Sequence, residues 1–299
     1  MAFALALGLS LLAAAVLSPA VQALLAPVHL SQLHRIFNRL TMIGVLATTI
    51  RLLVSNGLAS RKVLGYAAPA RVFARQALTG LVAGLALMML ILVPLFALHI
   101  RVWNHNLPVD LAGLLEIAAK ALLTGCAVAL VEETYFRGAI QGSLARTGSV
   151  RVALFVVPIL YAAIHFFGEA VRIPIEHVTP TSGFTILAGF MRKFAYPKQI
   201  ADAFLALYVL GVLLALVRHY TGNVAGCIGL HAAFASAVIV TRGLSAPGPD
   251  SAWMLLVGRF DHVLGIWAAI VGIIACWGYW AISTRESIAS TETALSTER

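Results

Sequence analysis

Two adjacent glutamates close an apolar stretch in the sequence VEETYFRG, residues 131–138. An ionisable side chain at the centre of a membrane helix costs roughly 2.5–3.5 kcal/mol, so those that an apolar stretch keeps are candidates for chemistry. Glu133 and Arg137 are four residues apart, which places them on one helix face and predicts an ion pair. Glu132 is rotated by about 100° from Glu133 and can face a cavity between helices. Neighbouring carboxylates repel each other, which suits one of them to act as a general base. The alternative is a charged helix end at the headgroup level, with Arg137 reaching towards water.

Two histidines also lie within apolar stretches. His165 ends the sequence YAAIH, and His231 begins the sequence HAAFA after Gly226 and Gly229, which permit close helix approach. Each histidine taken alone is better explained as a hydrogen-bonded packing residue. Together with the glutamates they place ionisable groups on three helices, and a histidine beside a carboxylate can activate a water molecule or stabilise an oxyanion.

Other ionisable or reactive residues are given structural roles. Glu116 and Lys120 are four residues apart near the start of the span that ends at the glutamates, and are interpreted as an interfacial pair that stabilises the helix. Cys126, Cys227 and Cys276 lie in apolar stretches without CxxC spacing and are interpreted as small packing residues.

The composition predicts a membrane protein. Of the 299 residues, 61% are hydrophobic and 11% are charged, whereas a soluble domain carries about 25% charged residues. The net charge of +9 comes from Lys and Arg in short loops between apolar stretches, which is typical of membrane proteins. The lipid bilayer is therefore the expected partner, and nucleic acid is not.

The apolar stretches predict an all-α, polytopic membrane helix bundle with about eight transmembrane helices. We expect one domain over residues 1–283 and a disordered cytoplasmic tail over 284–299, which is rich in Ser, Thr and Glu. The predicted spans are 3–26, 40–57, 77–99, 112–135, 152–167, 201–218, 223–241 and 263–282.

The basic residues predict the orientation. Loops 58–76 and 136–151 are rich in Lys and Arg, which places both termini in the cytoplasm by the positive-inside rule, although Arg35 and Arg39 in the first loop run against it. We expect the protein to lie in the inner (plasma) membrane of a prokaryote.

The long connection 168–199 mixes charged and apolar pieces and is interpreted as a re-entrant or interfacial lid.

The motifs Glu-Glu-x-x-x-Arg, aromatic-x-x-x-His and a final His resemble those of the CPBP family, which contains CAAX proteases, bacteriocin-processing enzymes and abortive-infection proteins. The resemblance covers about residues 110–242. It implies an intramembrane glutamic endopeptidase in which Glu132 and His165 activate the attacking water. By the same resemblance His231 stabilises the oxyanion, and Glu133 and Arg137 support the site. It implies no cofactor. Zinc stays open, because two His and a Glu are acceptable ligands, although an HExxH helix is absent from the sequence.

Two positions depart from the family pattern. Tyr161 stands where the family usually has Phe, and Ala235 stands where it has Asn or Asp. The second change removes an oxyanion donor, and in a serine protease the loss of one such donor costs on the order of 2.7–4 kcal/mol. Ser236 is about 100° away around the helix and is not assigned the role. The predicted spans also put Glu132 and His165 at different depths, so the fifth helix must start later, kink at Pro158 or tilt.

The sequence leaves two other functions open. A non-catalytic scaffold or bacteriocin-immunity protein is favoured by Ala235, and a transporter is favoured by the carboxylate–histidine set, which can relay protons. The chain lacks the repeated halves typical of many transporters. For a protease the expected partner is a membrane-associated peptide or protein, while the oligomeric state is left undetermined by the sequence.

Overall fold

A computed structural model describes residues 2–25, 32–104, 110–167, 171–248, 251–258, 260 and 262–297. The structure is 81% helical, which confirms the predicted all-α polytopic fold. In chain order the elements are α1 (Ala2–Leu25), α2 (Leu33–Ser55), α3 (Arg61–Leu64), α4 (Ala70–Ala97), β1 (Arg101–Trp103), α5 (Leu111–Glu133), a π-helix (Thr134–Gln141), α6 (Gly142–Thr147), α7 (Val150–Ile164), α8 (Ser182–Met191), α9 (Ala201–Thr221), α10 (Ala225–Leu244), β2 (Ser245–Pro247) and α11 (Ile266–Thr297). Short 3₁₀ turns cover Ile175–His177, Arg192–Ala195, Pro197–Gln199 and Met254–Leu256.

The predicted spans each correspond to a helix. Within the described residues seven helices are long and apolar enough to cross a membrane. The exception among the predicted spans is α7, which has 15 residues. At 1.5 Å per residue it is about 22 Å long, less than the roughly 30 Å of a hydrocarbon core.

The large apolar side chains that the structure exposes lie along the spanning helices. Examples are Leu24 at 78%, Leu123 at 74%, Met42 at 67% and Trp277 at 67% exposure. Water would make such a surface costly, whereas lipid tails solvate it. The chain is a multi-pass membrane protein.

The chain folds into two compact units, a division that the sequence pattern did not indicate. The first unit consists of Met1–Ser60 and Ala163–Ile200. Its core is formed by α1, α2 and α8, with Ala15, Phe37 and Ile186 buried. A Cβ on Gly183 would lie 1.9 Å from the Ala15 carbonyl oxygen, so α8 touches the α1 backbone through this glycine. Part of the connection predicted at 168–199 is therefore a packed helix; residues 168–170 lie outside the described ones, and the lid role stays a prediction.

The second unit consists of Arg61–Ala162 and Ala201–Arg299. Small residues bring α10 against α4 and α5 in this unit. A Cβ would lie 2.2 Å from the Gly226 oxygen if added to Gly80, and 1.8 Å from the Ala77 oxygen if added to Gly229. On α5, a Cβ at Gly125 would lie 2.8 Å from the Ala232 oxygen. These close approaches fix the position of the α10 residues that face α5.

Helix α5 has a defined start. Asp110 caps it, since its side-chain Oδ1 accepts a hydrogen bond of 2.8 Å from the Gly113 N–H. The predicted pair of Glu116 and Lys120 follows within the helix and is present as an ion pair. Helix α5 therefore begins with polar, exposed groups and runs from there towards the two glutamates.

A small sheet lies at the end of α4 and α10. β1 pairs with β2 in antiparallel fashion, with Arg101 opposite Pro247 and Trp103 opposite Ser245. Arg101 is buried and donates from Nε to Ser245 Oγ and from Nη2 to Ser245 O, both at 2.7 Å. This contact ties the residues that leave α4 to those that leave α10.

Helix α11 extends past the predicted boundary at residue 283, and its backbone is helical as far as Thr297. The segment after Gly278 contains neither Gly nor Pro, so the helix meets no breaker there. The disorder of the tail and the single domain over 1–283 stay predictions.

Candidate active site

The segment that carries the candidate residues changes helix type. Helix α5 ends at Glu133, and a π-helix continues the chain over Thr134–Gln141. Single π-helical turns are rare and frequently mark functional sites. The chain packs closely against α3 here. A Cβ added to Gly138 would lie 3.0 Å from the Leu64 oxygen, and one added to Gly142 would lie 2.4 Å from the Val63 oxygen.

The predicted ion pair between Glu133 and Arg137 is present in this segment. Arg137 Nη1 lies 3.2 Å from Glu133 Oε1, and both side chains are 0% exposed. Arg137 Nη2 also donates to the Gly211 carbonyl oxygen on α9 at 3.1 Å. Buried charges are tolerated when they are paired and hydrogen-bonded, which is the situation of this pair.

His231 on α10 lies between the two glutamates. Its Nδ1 is 2.7 Å from Glu133 Oε1, and its Nε2 is 3.9 Å from Glu132 Oε2. The Glu132 side chain is 25% exposed, whereas that of Glu133 is 0% exposed. The two adjacent carboxylates are thus in different environments: Glu133 is fully buried between Arg137 and His231, whereas Glu132 is partly exposed, with its Oε2 buried beside the imidazole.

Aromatic rings line this cluster. The Arg137 Cζ lies 4.4 Å from the centroid of the Tyr161 ring, a cation–π contact. The same ring meets His231 edge-to-face at 5.8 Å and Phe136 edge-to-face at 5.5 Å. Gly211 makes room for it, since a Cβ there would lie 3.1 Å from Tyr161 Cδ1. The aromatic residue of the second motif therefore belongs to the same cluster as the glutamates.

His165 lies directly after the end of α7. It is in a turn, is partly buried, and belongs to the segment Ala163–Ile200 of the first unit. The second unit brings together Glu132, Glu133, Arg137 and His231. The role predicted for His165 stays a prediction.

Ala235 is partly buried on α10, one turn after His231. The neighbouring Ser236 Oγ lies 2.6 Å from the Ala232 oxygen and 3.1 Å from the Ala121 oxygen. Ser236 is therefore engaged in the contact between α10 and α5, and its hydroxyl is not assigned as an oxyanion donor.

Three groups contribute to this site beyond those that the sequence predicts. The Gly211 carbonyl accepts from Arg137, as described above. Arg218 donates from Nε to the Arg137 oxygen at 3.3 Å and from Nη2 to the Val63 oxygen at 2.9 Å. Gln141 donates from Nε2 to the Ala215 oxygen at 2.9 Å. Arg218 and Gln141 could have been noticed in the sequence, because each is a polar residue at the end of an apolar helix. Their partners are backbone atoms, which a sequence cannot indicate.

Among the described residues, His, Cys, Asp and Glu side chains form no group of three or more that could hold an ion. The expectation of a protein without a cofactor stays a prediction.

Glu133, Arg137 and His231 form a buried cluster of ionisable side chains between the helices of a multi-pass membrane protein. Residues 114–237, from α5 into α10, match the family model described as Type II CAAX prenyl endopeptidase Rce1-like. This match confirms the family resemblance predicted for about residues 110–242, and it covers less than half of the 299 residues. Comparisons with curated proteins and with solved structures gave no match.

Proposed function

We propose that the chain is a glutamate-dependent intramembrane endopeptidase that hydrolyses a peptide bond of a membrane-associated substrate. The observation that carries the proposal is the pair formed by Glu132, whose side chain is 25% exposed, and His231, whose Nε2 lies 3.9 Å from the buried Glu132 Oε2. A carboxylate and an imidazole this close together can transfer the protons of a hydrolytic water.

In this mechanism Glu132 acts as the general base. It takes a proton from a water molecule, whose oxygen attacks the carbonyl carbon of the substrate and forms a tetrahedral intermediate. The proton then passes to the nitrogen of the leaving amine as the C–N bond breaks. The family resemblance adds His165 as a second group that activates the water.

His231 is the proposed donor to the oxyanion. Glu132 and Glu133 contribute two negative charges and Arg137 one positive charge, so a proton on His231 makes the cluster neutral. The contact of 2.7 Å between Nδ1 and Glu133 Oε1 orients the imidazole so that Nε2 lies on the side of Glu132, and the protonated imidazole would present an N–H there. An N–H donor held in a fixed orientation stabilises the charge that develops on the carbonyl oxygen.

The proposed substrate is cleaved at the membrane surface. We propose a peptide or protein whose cleaved segment lies at or just inside the cytoplasmic face of a prokaryotic plasma membrane. Both termini of the protease would lie on that same side. The basic loops 58–76 and 136–151 support this orientation.

The test compares cells that carry the native chain with cells that carry Glu132→Ala at matched expression. We measure the N-termini and masses of membrane and exported proteins in both. A precursor that accumulates uncut in the variant identifies the substrate and supports the protease. Glu116→Ala on the same helix is the matched control and should leave the protein profile unchanged.

A non-catalytic relative is the second candidate, and Ala235 is the observation that favours it. This role predicts identical N-termini in both cell populations, with both proteins stably inserted in the membrane. That result would overturn the protease proposal.

A further inference from the structure

A cavity lined by basic residues lies in the unit formed by Arg61–Ala162 and Ala201–Arg299. Its volume is about 250 Å³, far more than the roughly 10–15 Å³ that one water molecule needs on this measure. Its lining includes Lys62, Arg146, Arg218 and His219 and contains neither Asp nor Glu. The cavity thus concentrates positive charge in a chain where only 11% of residues are charged.

Among the described residues, none neutralises the cations of this cavity. Within the described part of the chain, Lys62, Arg146 and Arg218 have no carboxylate oxygen within 4.0 Å. Arg218 is held in place by the carbonyl oxygens of Arg137 and Val63, so its charge is fixed beside the cavity. A fixed cation between neutral acceptors, with two further cations nearby, attracts an anion.

The cavity lies where membrane-spanning helices end. Arg218 and His219 are in the last turn of α9, Arg146 is in the last turn of α6, and Val150, the first residue of α7, also lines the cavity. Helix ends of this kind lie at the level of the lipid headgroups. Lys62, Arg146 and His219 are exposed, so the cavity opens to the surface at that level.

We propose that this cavity binds a phosphate group, presented by the headgroup of an anionic phospholipid. Basic pockets between membrane helices are suited to headgroup phosphates, and a guanidinium recognises phosphate oxygens through its fork of N–H donors. Gln141 and Gly142 line the cavity and belong to the π-helix and α6. The bound headgroup therefore lies against the segment that carries Arg137. The inference does not depend on the protease activity, because it is tested by binding.

The experiment measures binding of dioctanoyl phosphatidylglycerol to the full-length protein in a neutral detergent. Dioctanoyl phosphatidylcholine is the zwitterionic comparison, and inorganic phosphate is the soluble source of the same chemistry. The test variant is Lys62→Gln/Arg146→Gln, which spares Arg218 because its backbone contacts are structural. The control variant is Arg61→Gln/Arg151→Gln, which removes the same charge from exposed residues that do not line the cavity.

We expect the anionic lipid to bind the native protein more tightly than the zwitterionic lipid. The test variant should bind the anionic lipid about 25-fold more weakly, at about fivefold for each cation near an anionic headgroup. The control variant should change binding by less than about threefold. All four positions are exposed, so the variants should remain folded, which size-exclusion chromatography verifies.

Three results would overturn the proposal. Equal loss of binding in both double variants would show a diffuse surface charge effect in place of a cavity. Binding of inorganic phosphate as tight as that of the anionic lipid would remove the assignment to a headgroup. Competition by a peptide with a free C-terminal carboxylate, without competition by phosphate compounds, would assign the cavity to a protein ligand.

Discussion

Two glutamate–cation pairs with the same spacing lie along one continuous helical segment. Glu116 and Lys120 form a pair near the start of α5, with side-chain exposures of 63% and 73%. Glu133 and Arg137 form the same kind of pair at the other end, and both of their side chains are 0% exposed. The spacing predicts both pairs, but it does not distinguish their environments.

The environment decides what each pair does. An exposed pair contributes little, because solvent and salt screen its charges. A buried pair must be completed by further hydrogen bonds, and breaking it leaves a charge without compensation. His231 and the Gly211 carbonyl add one contact each to the pair of Glu133 and Arg137, while Glu133 Oε2 and Arg137 Nε have no hydrogen-bond partner among the described residues. This contrast places the candidate chemistry at one end of the segment, and substitutions at both ends can test it.

The largest expected effect is on catalysis at the buried end. Glu132→Gln keeps the shape of the side chain but removes the base, and general-base catalysis contributes up to about 10⁴-fold. We expect a loss of that order in the cleavage rate of the identified precursor by purified protein. Glu116→Gln at the exposed end should keep the native rate, and full activity of Glu132→Gln would contradict the glutamate mechanism.

The next effect is on stability. Arg137→Gln leaves Glu133 buried without its cation and should destabilise the fold by about 3–5 kcal/mol, measured as a lower unfolding midpoint and folded yield in detergent. Lys120→Gln is the matched change at the exposed pair and should leave the midpoint unaltered. If both variants unfolded alike, burial would not distinguish the two pairs.

A smaller effect is expected between the two pairs, where α5 meets α10. Gly125→Ala places a methyl group 2.8 Å from the Ala232 oxygen, so the helices must separate at a cost of about 1–3 kcal/mol. Since His231 is on α10, we also expect slower cleavage.

The control for this variant is Gly243→Ala, whose added methyl group meets no atom within 4 Å. It should leave stability and cleavage close to those of the native protein. A rate unaffected by Gly125→Ala would show that the distance between α5 and α10 does not control the site.

The smallest effect is a gain at the buried end. Ala235→Asn adds an amide one turn after His231 and should raise the cleavage rate on the order of tenfold, part of the 10²–10³ of a full oxyanion donor. The measurement is kcat on the identified precursor, with Ala235→Leu as a control that adds bulk without a donor. An unchanged kcat would show that another group already supplies this hydrogen bond.

Much of this protein was determined by its sequence. The apolar stretches predicted the all-α membrane fold, since twenty or so consecutive apolar residues have few alternatives to a spanning helix. The spacing of Glu133 and Arg137 predicted their ion pair, since residues four apart share a helix face. These are local properties, and the residue pattern within a single helix is sufficient to predict them.

The tertiary structure decided the rest. It placed His231 between the two glutamates, because the glycines of α4, α5 and α10 allow those helices to touch. It also buried Glu133 completely while leaving Glu132 partly exposed, although the two residues are adjacent and identical in type. The cavity around Arg218 formed where helices distant in sequence end together. Burial and contact depend on which helix faces which, and that depends on packing over the whole bundle, which local periodicity does not specify.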